Sequence, residues 1–152
     1  MNQIKFNQAF IKMFTLITLC FTTFGFTSKF GLDSYEIYLN NKLILKQAVN
    51  QPLSLRMLKL KDAKESDQLR INYRHCTTEK GVGTDRIILL KDDKGNTLKK
   101  WAFANATGSD LNMTIAVKEL LQLEKKNANR ELSLQYTAKE LAKGETLAIL
   151  NL

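Results

Sequence analysis

One histidine, one proline, one tryptophan and two cysteines are all that the 152 residues hold of those types, and each scarcity excludes something. A zinc site of the usual kind needs several His or Cys ligands at set spacings, and His75 with Cys76 cannot supply them. A Ser–His–Asp triad would have to use His75, and no Gly-x-Ser-x-Gly elbow accompanies it. No glycine-rich phosphate cradle is present. Asp92-Asp93-Lys94-Gly95-Asn96 lacks the alternating acids and closing Glu of a calcium loop, and Lys94 would repel a cation. The sequence therefore offers no catalytic, cofactor-binding or metal-binding residue set, and a non-enzymatic protein is expected. With a single Pro and seven Gly, the chain is neither collagenous nor low-complexity.

The acids are also unevenly placed. None occurs in the first 27 residues, which carry Lys5 and Lys12, then the uncharged run Met13 to Phe26, then small residues at Thr23, Gly25, Thr27 and Ser28. A basic start, a short apolar centre and a small-residue exit are the parts of a secretory signal peptide. The apolar run falls short of the roughly 20 residues that span a bilayer. Residues 1–27 are thus expected to be a cleaved leader and residues 28–152 the mature domain, periplasmic or extracellular. The membrane is met only through the leader before cleavage. Leu19 is too bulky for a lipobox ahead of Cys20, which leaves with the leader. Cys76 then stands alone, without an internal disulfide, free or bridged to another chain. The mature net charge is near +6, against +8 for the whole chain.

What remains is patterned with a period of two. Tyr35 to Leu39 and Lys42 to Lys46 flank Asn40–Asn41, the signature of a hairpin. Leu53 to Leu60 reads as a strand whose apolar face shifts near Met57, predicting a bulge or bend there. Leu69, Ile71, Tyr73 and His75 alternate with polar neighbours. Arg86 to Lys91 is apolar on both faces, and Asp92 to Asn96 turns it into Thr97 to Phe103. Leu111 to Val117 alternates, and Val117, Leu120 and Leu121 change to helical spacing. Leu132 to Tyr136 and, after a Lys143–Gly144 turn, Thr146 to Leu152 complete the list. The expected fold is all-β, an antiparallel β-sandwich of eight or nine short strands with one short helix near 117–125.

The basic residues are mostly single and mixed with acids, and no aromatics interleave with them as a nucleic-acid groove requires, so no nucleic acid is expected. One cluster stands out. Arg70 and Arg74 share a face of one strand, and Arg86 begins the run expected to pair with it through the Thr77 to Thr84 loop. If odd positions (Leu69, Ile71, Tyr73, Ile87, Leu89) face the core, the three arginines share the outer face and form an anion site. His75 and Cys76, adjacent in a strand, point to opposite faces.

The stretches Tyr35 to Lys42, Leu90 to Asn96, Trp101 to Phe103 and Lys139 to Gly144 resemble a group of small exported bacterial proteins with no assigned activity. The resemblance implies an exported β-rich domain and assigns no residue a role. The expectation is an exported binding or structural module whose partner is a protein or glycan of the envelope or extracellular space. The alternatives are a hydrolase or thiol enzyme using His75 or Cys76, and an inhibitor or chaperone-like protein acting through a sheet edge.

Overall fold

The structure is a computed structural model that describes residues 31–105 and 110–151. The expected leader, residues 1–27, lies outside the described residues. The described chain is mostly β-strand, arranged in two sheets with one helix. Strands β1 (Ser34–Leu39) and β2 (Lys42–Ala48) form the expected hairpin, with Asn40 in the left-handed region at φ 55°. Asparagine tolerates that conformation better than most residues. β4 (Gln68–Arg74) and β7 (Asn112–Ala116) extend this hairpin into an antiparallel sheet of order β2-β1-β4-β7. The second sheet has the order β3-β9-β8-β5-β6, from β3 (Met57–Lys59), β5 (Ile87–Lys91), β6 (Thr97–Ala102), β8 (Ser133–Ala138) and β9 (Leu141–Asn151).

Alternation decides what each strand buries. Ile37, Leu69, Ile71, Met113 and Ile115 of the first sheet and Leu58, Ile88, Leu90, Leu134 and Leu147 of the second join one core. Burying a Leu or Ile side chain contributes about 1.5–3 kcal/mol. Among the described residues the core runs from Tyr35 to Leu150. The helix α1 (Val117–Lys126) buries Val117 and Leu120. Its Glu119 accepts from Trp101 Nε1 at 3.0 Å and pairs with Lys99 at 3.5 Å, tying α1 to β6.

Four expectations are corrected. The sheets are not wholly antiparallel, because β3 runs parallel to β9. Leu53 to Leu60 is not one strand. A 3₁₀ turn, Leu53–Leu55, precedes the short β3 because Arg56 turns inward and holds the chain there. The last turn falls at Lys139–Glu140 and not at Lys143–Gly144. Gly144 instead lies within β9 at φ 73°, where a Cβ would come within 3.0 Å of Thr137 and Gln135. Finally, β4 and β5 do not pair. After β4 the loop folds back, with His75 N–H donating to Gly81 O, and then crosses to the other sheet, where Lys139 N–H meets Thr84 O and Phe103 N–H meets Arg86 O.

Candidate functional site

His75 follows β4 directly and turns inward, 2% exposed. Its Nδ1 lies 3.1 Å from Asp33 Oδ2 and its Nε2 3.0 Å from the Tyr136 hydroxyl. A carboxylate only accepts, so Nδ1 carries the proton, and in the neutral ring Nε2 accepts from Tyr136. Asp33 also receives the Tyr73 hydroxyl at 3.0 Å and the Cys76 backbone N–H at 2.8 Å. Tyr73 and Tyr136 stack with centroids 4.1 Å apart, closing the cluster on its core side.

These contacts set the proton affinities. Burial works to raise the Asp33 carboxyl, but the bonds from Cys76 and Tyr73 and the neighbouring His75 outweigh it and hold Asp33 below the usual carboxylate range. Burial, with Asp33 nearby, pushes the Tyr73 hydroxyl well up, and burial does the same for Tyr136. The Cys76 thiol is exposed, and its hydrogen bond to Asp33 raises it above the ordinary thiol value. A thiol kept protonated is a poor nucleophile.

The order carboxylate–imidazole–hydroxyl is that of an acid–base relay, yet among the described residues its imidazole and hydroxyl are closed off and only Asp33 is partly exposed. Tyr136 is 0% exposed, and Gly83 lies over the His75–Tyr136 contact so closely that a Cβ would sit 2.4 Å from the Tyr136 hydroxyl and 2.6 Å from His75 Nε2. As built, the relay fastens the segment at Asp33, the end of β4 and β8 to one another. Cys76 takes no part in it through the imidazole. The two neighbours point to opposite sides, His75 inward and Cys76 outward. Among the described residues no group of three or more His, Cys, Asp or Glu could hold a metal ion.

The three arginines are divided. Arg70 and Arg74 stand on the outer face of β4, opposite the buried Leu69, Ile71 and Tyr73. Arg86 is in the other sheet's half of the chain and is buried, its Nε and Nη2 donating to Ala104 O. The expected parity of β5 is reversed, since Ile88 and Leu90 face the core while Ile87 and Leu89 are half-buried outside. Around Arg70 and Arg74 the register places Ser34, Glu36 and Tyr38 of β1 directly opposite Arg74, Asn72 and Arg70. The Arg70 guanidinium carbon sits 4.6 Å from the centre of the Tyr38 ring, a cation–π contact. Lys46 of β2 pairs with Glu36 at 2.8 Å on the same face. Arg70 Nε and Asn72 Oδ1 are shielded and bond to nothing among the described residues.

Compared with known proteins, the chain matches no family model, no curated protein and no solved structure.

Sequence reasoning missed Asp33, Tyr136, Tyr38 and Arg56. Asp33 and Tyr136 reach His75 over 42 and 61 positions, and no local spacing encodes such contacts. Arg56 did carry a signal, as the single charge between Leu53, Leu55, Met57 and Leu58.

Proposed function

We propose that the chain is an exported, non-enzymatic binding module, a β-sandwich freed from a leader of residues 1–27, and that it takes an acidic glycan on the outer face of its first sheet. The observation that carries this reading is the company on that face. Lys46, Arg70 and Arg74 outnumber Glu36 there, and Tyr38 offers a ring beside Arg70. Arg70 and Arg74 are four residues apart on one strand, so their backbones are separated by about 13 Å at the rise of a strand. That spacing suits an extended polyanion better than a single small anion. Sugar hydroxyls and carboxylates accept from guanidinium groups, so they complement Arg70 and Arg74 on that face. Arg86, buried on Ala104, has no part in this site.

The sealed relay supports a non-enzymatic reading, because substrate would have to displace Gly83 to touch His75 or Tyr136. Hydrolase or thiol chemistry at His75 or Cys76 is the competing reading, favoured by the order of Asp33, His75 and Tyr136. Titration with polygalacturonate, with dextran as the uncharged control, separates them. Arg74→Ala is expected to weaken polygalacturonate binding about tenfold, the loss of one charge-assisted hydrogen bond, with dextran unaffected. Screening shrinks that difference at high salt. Equal affinity of the native and Arg74→Ala proteins rejects the site. N-terminal sequencing of the protein from its host tests the leader, and a product starting at Met1 rejects it.

A further inference from the structure

From Ile37 to Lys61 the chain contains no acidic residue and five basic ones, Lys42, Lys46, Arg56, Lys59 and Lys61. The same stretch holds four of the five large apolar side chains that stand exposed among the described residues: Leu43 at 45%, Leu53 at 47%, Leu55 at 55% and Met57 at 39%. Three of these fall within five positions of the connection from β2 to β3. Arg56, between Leu55 and Met57, is the inverse, a charge only 3% exposed. Its guanidinium donates to Val49 O, Gln51 O and Thr146 O and pairs with Glu145. The corner is built inside out, with the cation inward and the leucines outward.

Nor is it loose. Leu55 N–H meets Pro52 O at 3.1 Å and Arg56 N–H meets Leu53 O at 2.9 Å, while Gln47 Nε2 donates to Leu55 O at 3.1 Å. Exposed apolar side chains on a fixed support have already lost the freedom that binding would otherwise cost. We infer that this corner docks on an anionic lipid bilayer, with Leu53, Leu55 and Met57 entering the apolar boundary and Lys59 and Lys61, which follow Met57 at alternate exposed positions, facing the headgroups.

Charge selects this occupant over a second copy of the chain. Two copies bring like net charge together, whereas an anionic leaflet attracts lysines near its surface. Glu131 lines two hollows beside the corner, one with Met57, Glu124 and Arg130 and the other with Leu53, Lys91, Asp92 and Asp93, and these acids limit how deep the lipid can reach. The inference stands apart from the glycan reading, which concerns the Arg70–Arg74 face.

Flotation of residues 28–152, which contain the compact unit Gly31–Leu152 and every core residue among those described, with vesicles of phosphatidylglycerol and phosphatidylcholine tests it. The native domain should float with these vesicles and remain behind with phosphatidylcholine alone. The double variant Leu53→Ser, Leu55→Ser alters only exposed side chains, so its melting temperature should be unchanged. Its partition should fall on the order of tenfold or more, as expected from withdrawing two leucines from an apolar phase. The idea is overturned if the native domain fails to float, or if the double variant floats equally well. Sedimentation showing self-association that the double variant loses would assign the corner to a second copy and overturn it likewise. If Arg74→Ala abolishes flotation and the leucine variant does not, the arginine face is the lipid contact. Unchanged polygalacturonate binding by the leucine variant keeps the two sites separate.

Discussion

At Gly83 the absence of a side chain is what lets the His75–Tyr136 hydrogen bond close. A Cβ there would lie within 2.9 Å of Ala138 as well, so three neighbours from the end of β4 and from β8 would have to move. Gly83→Ala is therefore expected to destabilise the domain by about 1–3 kcal/mol, the cost of overfilling a packed site. Urea unfolding monitored by circular dichroism reads this directly. A midpoint equal to that of the native protein would mean that the loop shifts freely and that the seal is not tight. Arg56 shows the complementary economy. One guanidinium satisfies the carbonyls of Val49 and Gln51 at the corner and of Thr146 in β9, and so removes the penalty of burying them bare.

The helix shows where an element is underdetermined by its own sequence. α1 follows β7 without a break, and its N-cap, Ala116, is extended at φ −69°, ψ 125° with no side-chain cap. Glu119 in the first turn and Lys125 and Lys126 in the last agree with the helix dipole, so the ends are set by charge and by packing of Val117 and Leu120. Ala116→Ser supplies the missing acceptor and should stabilise the domain by about 0.5–1 kcal/mol; a lower melting temperature would show that the half-buried site does not accept a hydroxyl. Elements of this local kind were legible. The Asn40–Asn41 hairpin, the Asp92 to Asn96 turn and the change from period two to helical spacing at Val117 all depend on neighbouring residues. The partner of β4 was not legible. Both faces of β5 are apolar, so parity could not say which side was inward, and its pairing with β8 joins strands about fifty positions apart. The buried relay was illegible for the same reason, and the arginine site was half read, since only Arg70 and Arg74 share a face.

For the whole molecule, acid is the condition that weakens the native state against the unfolded chain. Asp33 and Glu140 resist the effect of burial through their hydrogen bonds, from Cys76 and Tyr73 and from Thr84 respectively, and both sit below the usual carboxylate range. Glu36, Asp67 and Asp92 are lowered chiefly by Lys46, by the Lys64 N–H and by the Asn96 amide. A folded value below the unfolded one means that the unfolded chain binds more protons. The stabilisation is then fully present above the unfolded values and is lost as pH falls through the folded ones. Urea midpoints are expected to hold above about pH 4 and to fall below it, less steeply in Asp33→Asn. A midpoint that rises on acidification would reverse the sign and refute the assignment.

The position of β9 has a consequence for timing. It is the last of the described strands in chain order, yet it sits inside its sheet, between β8 and β3. Met57 must wait for Ile149, about ninety positions later, before β3 has any strand to pair with. Tyr35 and Arg56, both early in the chain, likewise find acceptors at Leu147 and Thr146. Contacts this distant make a β-protein fold slowly, over milliseconds to seconds. The β1–β2 hairpin can form early, but the core cannot close on it. Until β9 docks, β3 has no partner strand and Tyr35 and Arg56 lack the acceptors at Leu147 and Thr146, so the docking of β9 is the step that fastens the early part of the chain.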